Sequence, residues 1–155
     1  MLPATSTPAV NNRSSRIYSK ILVAIDGSDP SMNAAEHAIS VSEAFSAELH
    51  ALHVIQIDVD LFGPADTPHD VIQINKQAQE FLNRVKLKGN KKYEIKTEII
   101  ISVNVPRGIV KYAENKNIDL IVVGTRGRSG FRKLLLGSVA SSVIEYSHCP
   151  VLVIR

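Results

Sequence analysis

Three glycines and a serine in the last third of the chain are spaced as a seat for an anion. They lie in GTRGRSGFRKLLLGS, which runs from Gly124 to Ser138. Gly124 ends an apolar run, where the backbone must pass close to a neighbour. Gly127 relieves a tight turn. Gly137 and Ser138 open a helix, where free N–H groups and the positive end of the helix dipole point outward. The Ser138 hydroxyl adds a donor. Arg126, Arg128, Arg132 and Lys133 lie between these points and raise the local positive potential. A phosphate suits such a place. The stretch is not a Walker A loop, because Gly130 is not followed by Lys, and it is not the dinucleotide pattern G-x-G-x-x-G. Taken singly, each glycine also fits a loop or a helix cap, and each arginine a solvated surface.

The elements that must position this stretch follow from hydrophobic periodicity. Short β-branched runs read as buried strands at Lys20–Asp26, Ala47–Ile55, Tyr93–Ile101, Ile118–Gly124 and Pro150–Arg155. Helical patterns fill the intervals. One is Ala-rich, from Met32 to Ser46, with Asp29 as its expected cap and Pro30 in its first turn. A second has Val71, Ile74, Ala78, Phe81, Leu82 and Val85 on one face, starts in DTPHD (Asp66–Asp70) and stops at Gly89. A third opens at Pro106 and runs to about Asn115, and a fourth spans Ser138–Ser147. Strict alternation of strand and helix predicts a single α/β domain, a doubly wound five-stranded parallel sheet with helices on both faces. Ligands of such sheets bind beyond the carboxyl ends of the strands, where strand order reverses. A reversal between the first and fourth strands would bring VAIDGS and VVGTRG together, the two most glycine-marked strand ends in the chain.

Composition narrows the partners. The chain has 155 residues, 45% hydrophobic and 21% charged, with a net charge of +3. Such a balance suits one domain with a buried core. No apolar run approaches the roughly 18–20 residues that span a bilayer, so no membrane partner is expected. The charge is too mild, and the aromatics too few, for a nucleic-acid binder. Cys149 is the only cysteine, which excludes an intrachain disulfide and fits a cytoplasmic location. Residues 1–16 are rich in Ser, Thr, Pro and Asn, lack an apolar core segment and read as a disordered tail rather than a leader. His50 and His53 stand three apart on a strand, hence on opposite faces, and do not make a metal pair. No G-x-S-x-G elbow marks a serine hydrolase.

Gly124, Gly127, Gly137 and Ser138 form the pattern G-x2-G-x9-G-S/T. In this the chain resembles the ATP-binding branch of the universal stress protein family. The resemblance continues in KILVAIDGS, LHALHVI and the whole run from Asp119 to Arg155, so that residues 17–155 would form one universal stress protein domain. It implies a Rossmann-like fold of the adenine nucleotide alpha hydrolase type, with strand order 3-2-1-4-5. It also implies site residues. Ala24, Ile25 and Asp26 would line the nucleotide at the end of the first strand, with Asp26 facing ribose, phosphates and any Mg²⁺ or Mn²⁺ they carry. Val54 would meet adenine through its backbone, and Val123 and Gly124 would flank the ribose. Arg126, Gly127, Gly137, Ser138 and Val139 would hold the phosphates. ATP is the implied ligand, with AMP or ADP as alternatives. Family members pair through the last strand, so a homodimer is expected. Asp26 has a second reading, as the bond-maker of its own turn.

The resulting expectation is a homodimeric, cytoplasmic, nucleotide-dependent stress-response or signalling switch with an unknown protein partner. A slow or partner-stimulated ATPase is one alternative. An interaction module with an unused nucleotide site is the other. No catalytic residue is assigned, because Asp26 is the only acid placed near the phosphates and no general base faces them.

Overall fold

The computed structural model describes residues 17–57, 68–126 and 136–155. The N-terminal tail, Asp66, Thr67, Gly127, Arg128, Arg132 and Lys133 fall outside the described residues. The elements alternate without exception: β1 (Lys20–Ala24), α1 (Asp29–Phe45), β2 (Glu48–Gln56), α2 (Pro68–Lys88), β3 (Ile95–Ser102), α3 (Val105–Lys116), β4 (Leu120–Gly124), α4 (Ser138–Tyr146) and β5 (Val151–Ile154). All strand pairs are parallel and the sheet order is β3-β2-β1-β4-β5. The doubly wound sheet expected from the alternation is therefore present, with β1 central and the order reversing between β1 and β4.

Side-chain alternation builds two cores from one sheet. Ile21 and Val23 of β1, with Leu120 and Val122 of β4, pack under Ala34, Ala35 and Ala38 of α1 and Leu82 and Val85 of α2. Leu22, Ile121 and Val123 point the other way, against Ile109, Tyr112 and Ala113 of α3 and Ala140 and Val143 of α4. Ile21, Leu22 and Val23 are all completely buried. A strand buried on both faces needs a continuous apolar run, which is why β1 reads ILV rather than alternating with polar residues. The alanines of α1 let that helix lie close to the sheet.

Helix ends differ from the sequence expectation in one instructive place. Ser28, not Asp29, is the N-cap of α1, and its side chain accepts from the Ser31 N–H. The helix consequently begins at Asp29, three residues ahead of Met32. Asp29 becomes a first-turn acid at the positive end of the dipole. The α3 helix is capped by Asn104, which accepts from the Arg107 N–H at 2.9 Å. Both α1 and α3 close on a left-handed residue, Ser46 and Asn117. Among the described residues, no helix is long and apolar enough to cross a membrane.

Candidate functional site

At the carboxyl ends of the strands lies a cavity of about 470 Å³. Its floor is the gap that opens where β1 turns into α1 and β4 leaves the sheet. Ala24 lines it from the end of β1 and Ile25 and Asp26 from the turn that follows, Val54 from β2, Val123 and Gly124 from β4, and Arg126 from just beyond β4. Gly137, Ser138 and Val139 border it from the start of α4. Ten of the eleven sequence-derived site residues thus share one cavity, and the other, Gly127, lies outside the described residues.

The turn after β1 is tied by its own side chains. Asp26 Oδ1 accepts from the Ser28 N–H at 2.9 Å and from the Ser28 hydroxyl at 2.5 Å. The Asp26 N–H donates to Ser31 Oγ, which in turn donates to the Ser28 carbonyl. So the turn-bonding reading of Asp26 is correct, and it is compatible with a place in the cavity, because only Oδ1 makes these bonds. Gly27 completes the turn at φ +83, a conformation that side chains disfavour. A Cβ there would also strike the Phe81 ring at 2.4 Å.

Gly124 owes its identity to packing. A Cβ on it would stand 2.8 Å from the carbonyl carbon of Pro30 and 2.9 Å from its oxygen. The close neighbour of the β4 end is therefore the first turn of α1. Thr125, only 8% exposed, then acts as a latch. Its N–H donates to the Ile154 carbonyl at 2.7 Å, and its own carbonyl accepts from the Gly137 N–H at 2.6 Å. That second bond brings the start of α4 back to the end of β4. A Cβ on Gly137 would come within 3.0 Å of the same carbonyl oxygen, so the approach favours glycine.

The amino end of α4 is unlike those of α1 and α3. Gly137 supplies no side-chain cap, and, as in α3, the first turn contains no acid. The Gly137 N–H is spent on Thr125, but the amides of Ser138, Val139 and Ala140 belong to the first turn, which has no intrahelical acceptors. Ser138 and the exposed Arg126 stand beside them. This end of the cavity is electropositive and rich in donors. The other end is apolar: Val105 and Ile109 of α3 face Val54, while Ile74 and Phe81 of α2 close the opposite side. Leu52 accepts from the Ile25 N–H. By the two-residue repeat of a strand, the N–H and C=O of Val54 point to the same side, beyond the last residue of β1. A flat heterocycle could sit there with backbone groups at its edge.

Several lining residues escaped the sequence reading. Thr125 lay inside the quoted stretch, but nothing in its type announced a buried latch. The α2 contribution came from a helix whose inward face was legible but whose reach over the strand ends was not. His53 was considered only as a metal ligand. It faces Ile25 and Phe81, whereas His50 faces Tyr112 on the other side of the sheet, as the strand period requires. Among the described residues, no group of three or more His, Cys, Asp or Glu is placed to hold a metal. Cys149 is half-buried, and burial pushes its thiol pKa up.

A doubly wound parallel sheet with a cavity at its β1/β4 switch point, donors at one end and an apolar slot at the other, defines the class of small α/β proteins with a ligand crevice at the strand ends. Within that class, this chain belongs to the universal stress protein family, whose sequence profile matches residues 17–155. A universal stress protein of Methanocaldococcus jannaschii is 40% identical over 142 residues, covering 90% of this chain and 83% of that protein. The structure of universal stress protein UspA from Lactobacillus plantarum superposes with a TM-score of 0.77 at 29% identity, over 89% of this chain and 98% of that one. A universal stress protein crystallised in complex with cAMP is also similar, with a TM-score of 0.65 at 27% identity over 89% of this chain and 97% of that one.

Proposed function

We propose that this protein binds an adenine nucleotide, ATP in the first place, and acts as a nucleotide-dependent switch in a stress response. The observation that carries the reading is the open amino end of α4. Among the described residues it is the one helix start bordering the cavity that has no side-chain cap, and it faces a cavity with an apolar slot at its far end. Phosphates would take the amides of Ser138 and Val139, the Ser138 hydroxyl and Arg126, with Gly127 in the same loop. Ribose would lie over Asp26, Val123 and Gly124. The base would enter between Ala24, Ile25 and Val54. The related protein in complex with cAMP supports an adenine ligand for this fold.

A divalent cation, Mg²⁺ or Mn²⁺, fits only in company with the phosphates. Asp26 is the one acidic side chain among the described residues that line the cavity, so most ligands would have to come from the nucleotide and water. The cation's contribution would be to neutralise phosphate charge. With one carboxylate, half engaged in its turn, binding with a conformational or partner readout is favoured over hydrolysis. AMP and ADP would use the same base and ribose contacts.

The sheet order supports the homodimer. β5 is an edge strand of four residues, all half-buried, and the neighbouring α4 exposes Ile144 and Tyr146. An uncovered apolar edge of this kind is stabilised by pairing with a second copy. The readout partner would be another protein, in the cytoplasm.

Calorimetric titration tests the reading. The protein is unfolded and refolded to strip bound nucleotide, then titrated with ATP and Mg²⁺, and separately with ADP and AMP. Saturable binding near one site per chain is expected. No heat from a folded, dimeric sample would refute nucleotide binding and leave an interaction module.

A further inference from the structure

The nucleotide reading leaves a buried polar group of the cavity, His53, without a task. His53 is 9% exposed and lines the cavity from β2. Its Nδ1 lies 2.7 Å from the carbonyl oxygen of Ile25. A carbonyl only accepts, so Nδ1 carries the proton. The ring leans on Phe81, with centroids 5.8 Å apart and planes at 55°. These two contacts fix the ring. The second nitrogen, Nε2, has no hydrogen-bond partner among the described residues. Yet among those residues no polar side-chain atom is both fully buried and unpartnered. Nε2 therefore reaches open space, and the space His53 borders is the cavity.

His50 shows what a finished histidine looks like on the same strand. Its Nδ1 meets the Tyr112 hydroxyl at 2.9 Å and its Nε2 meets Glu48 at 2.6 Å. Three residues later, only half of that arrangement exists.

We propose that His53 is a specificity-determining residue, whose ring, holding its proton on Nδ1, offers Nε2 as an acceptor to a hydrogen-bond donor on the nucleoside half of the ligand. The inference rests on the nucleotide reading above. Phosphate oxygens accept and cannot satisfy an acceptor. Adenosine offers two kinds of donor, the 6-amino group of the base and the ribose hydroxyls. A 6-oxo purine presents an oxygen where adenine presents N–H, and 2′-deoxyribose has lost the 2′-hydroxyl. Either mismatch leaves a buried acceptor unpaired, and sites of that kind discriminate strongly.

The test is titration of ATP, ITP and dATP, each with Mg²⁺, against the wild-type dimer, His53→Asn and His53→Gln. The Asn side chain places its amide nitrogen near Nδ1, keeps the bond to Ile25 and reaches no further. The Gln side chain places its amide near Nε2 and can present the oxygen as acceptor. The wild type is expected to prefer ATP over ITP or over dATP by about tenfold or more. His53→Asn should cut that preference to about twofold, and His53→Gln should retain most of it. Loss against ITP assigns the base amino group, and loss against dATP the ribose hydroxyl. Equal affinity for all three nucleotides in the wild type, or a preference that survives in folded His53→Asn, overturns the role of His53 and leaves nucleotide binding standing. Failure of all three to bind overturns both readings. A measurement without a variant covers loss of folding in His53→Asn: the ¹⁵N resonance of His53 Nε2 should move on adding ATP, and an unmoved resonance at saturation overturns the proposal.

Discussion

The two ends of the sheet treat their polar groups in opposite ways. At the amino ends of the strands the protein satisfies itself. Asp119, just ahead of β4, accepts from the Ser19 N–H at 2.8 Å and from the Lys20 N–H at 3.2 Å, and so joins the entries of β1 and β4. The His148 ring bonds the Ile118 carbonyl. Glu48 links His50 to Lys96, and His50 passes the chain to Tyr112. At the carboxyl ends the same economy stops short. The first-turn amides of α4, Nε2 of His53 and the second oxygen of Asp26 have no hydrogen-bond partner among the described residues. Since α1 and α3 start at that same end and are capped by Ser28 and Asn104, the open start of α4 is a local exception and not a property of the edge. Gly137, drawn against the Thr125 carbonyl where a Cβ would be crowded, leaves that end without a side-chain cap. The lesson is that a site can be recognised by where a fold declines to finish its own hydrogen bonds.

The comparison breaks most sharply at Gly124. If its glycine serves packing, then Gly124→Val should destabilise the protein by about 2–3 kcal/mol in urea unfolding, with no nucleotide present. The atoms in the way are Pro30 backbone atoms, which cannot swing aside as a side chain would. A variant as stable as the wild type would return Gly124 to a purely ligand-facing role. Next in size is Ser138→Asp. An acid in the first turn suits the dipole and should leave the melting temperature unchanged or slightly raised. The same charge repels phosphate, and ATP affinity should fall about tenfold or more by calorimetry. Stability and binding moving in opposite directions would be the signature of an end kept open for an anion. A parallel fall in both would show Ser138 to be structural.

Much of this was legible beforehand, for reasons that differ by element. β1 and β4 are buried on both faces, so their apolar runs are unbroken and their positions unmistakable. The reversal between them follows from β1 being central, and it is enough to place Asp26 opposite Gly124 and Gly137. Caps were harder. Ser28 and Asp29 are both good N-cap types, and the choice turns on Asp26 engaging Ser28 through its backbone and hydroxyl, a contact made by folding the turn. The reasons behind the glycines were harder still. Gly124 faces Pro30, close to a hundred residues earlier in the chain, and Gly137 faces Thr125 across the basic loop. Periodicity gives the face on which a residue lies, but not the backbone that will approach it from another element. His53 makes the same point. Its face was known from the strand period, while its half-satisfied ring depends on the Ile25 carbonyl, freed where β1 leaves the sheet.

The closed end offers smaller effects that should leave the cavity untouched. Asp119→Ala removes a carboxylate shared by two backbone N–H groups and should cost about 1–2 kcal/mol, with ATP affinity unaltered. A loss of affinity would mean that the two ends are coupled through β1 and β4.

Glu48 is the gentlest probe. Its hydrogen bond to Lys96, and then that to His50, bring its carboxyl pKa down from 4.5 to about 2. A carboxylate with a depressed pKa in the folded state stabilises fully above its unfolded value. That contribution fades as pH falls from about 4.5 towards 2. The side chain is 34% exposed, so solvent screens it and the whole contribution should stay below about 1 kcal/mol. The stability difference between wild type and Glu48→Gln, followed by urea unfolding from neutral pH downward, should therefore be small and should shrink through that acid window. A difference independent of pH would show that the Glu48 charge contributes nothing and that only the shape of the His50 pairing matters. In either case ATP should bind both proteins equally at neutral pH, because the ring that Glu48 holds has already spent both its nitrogens.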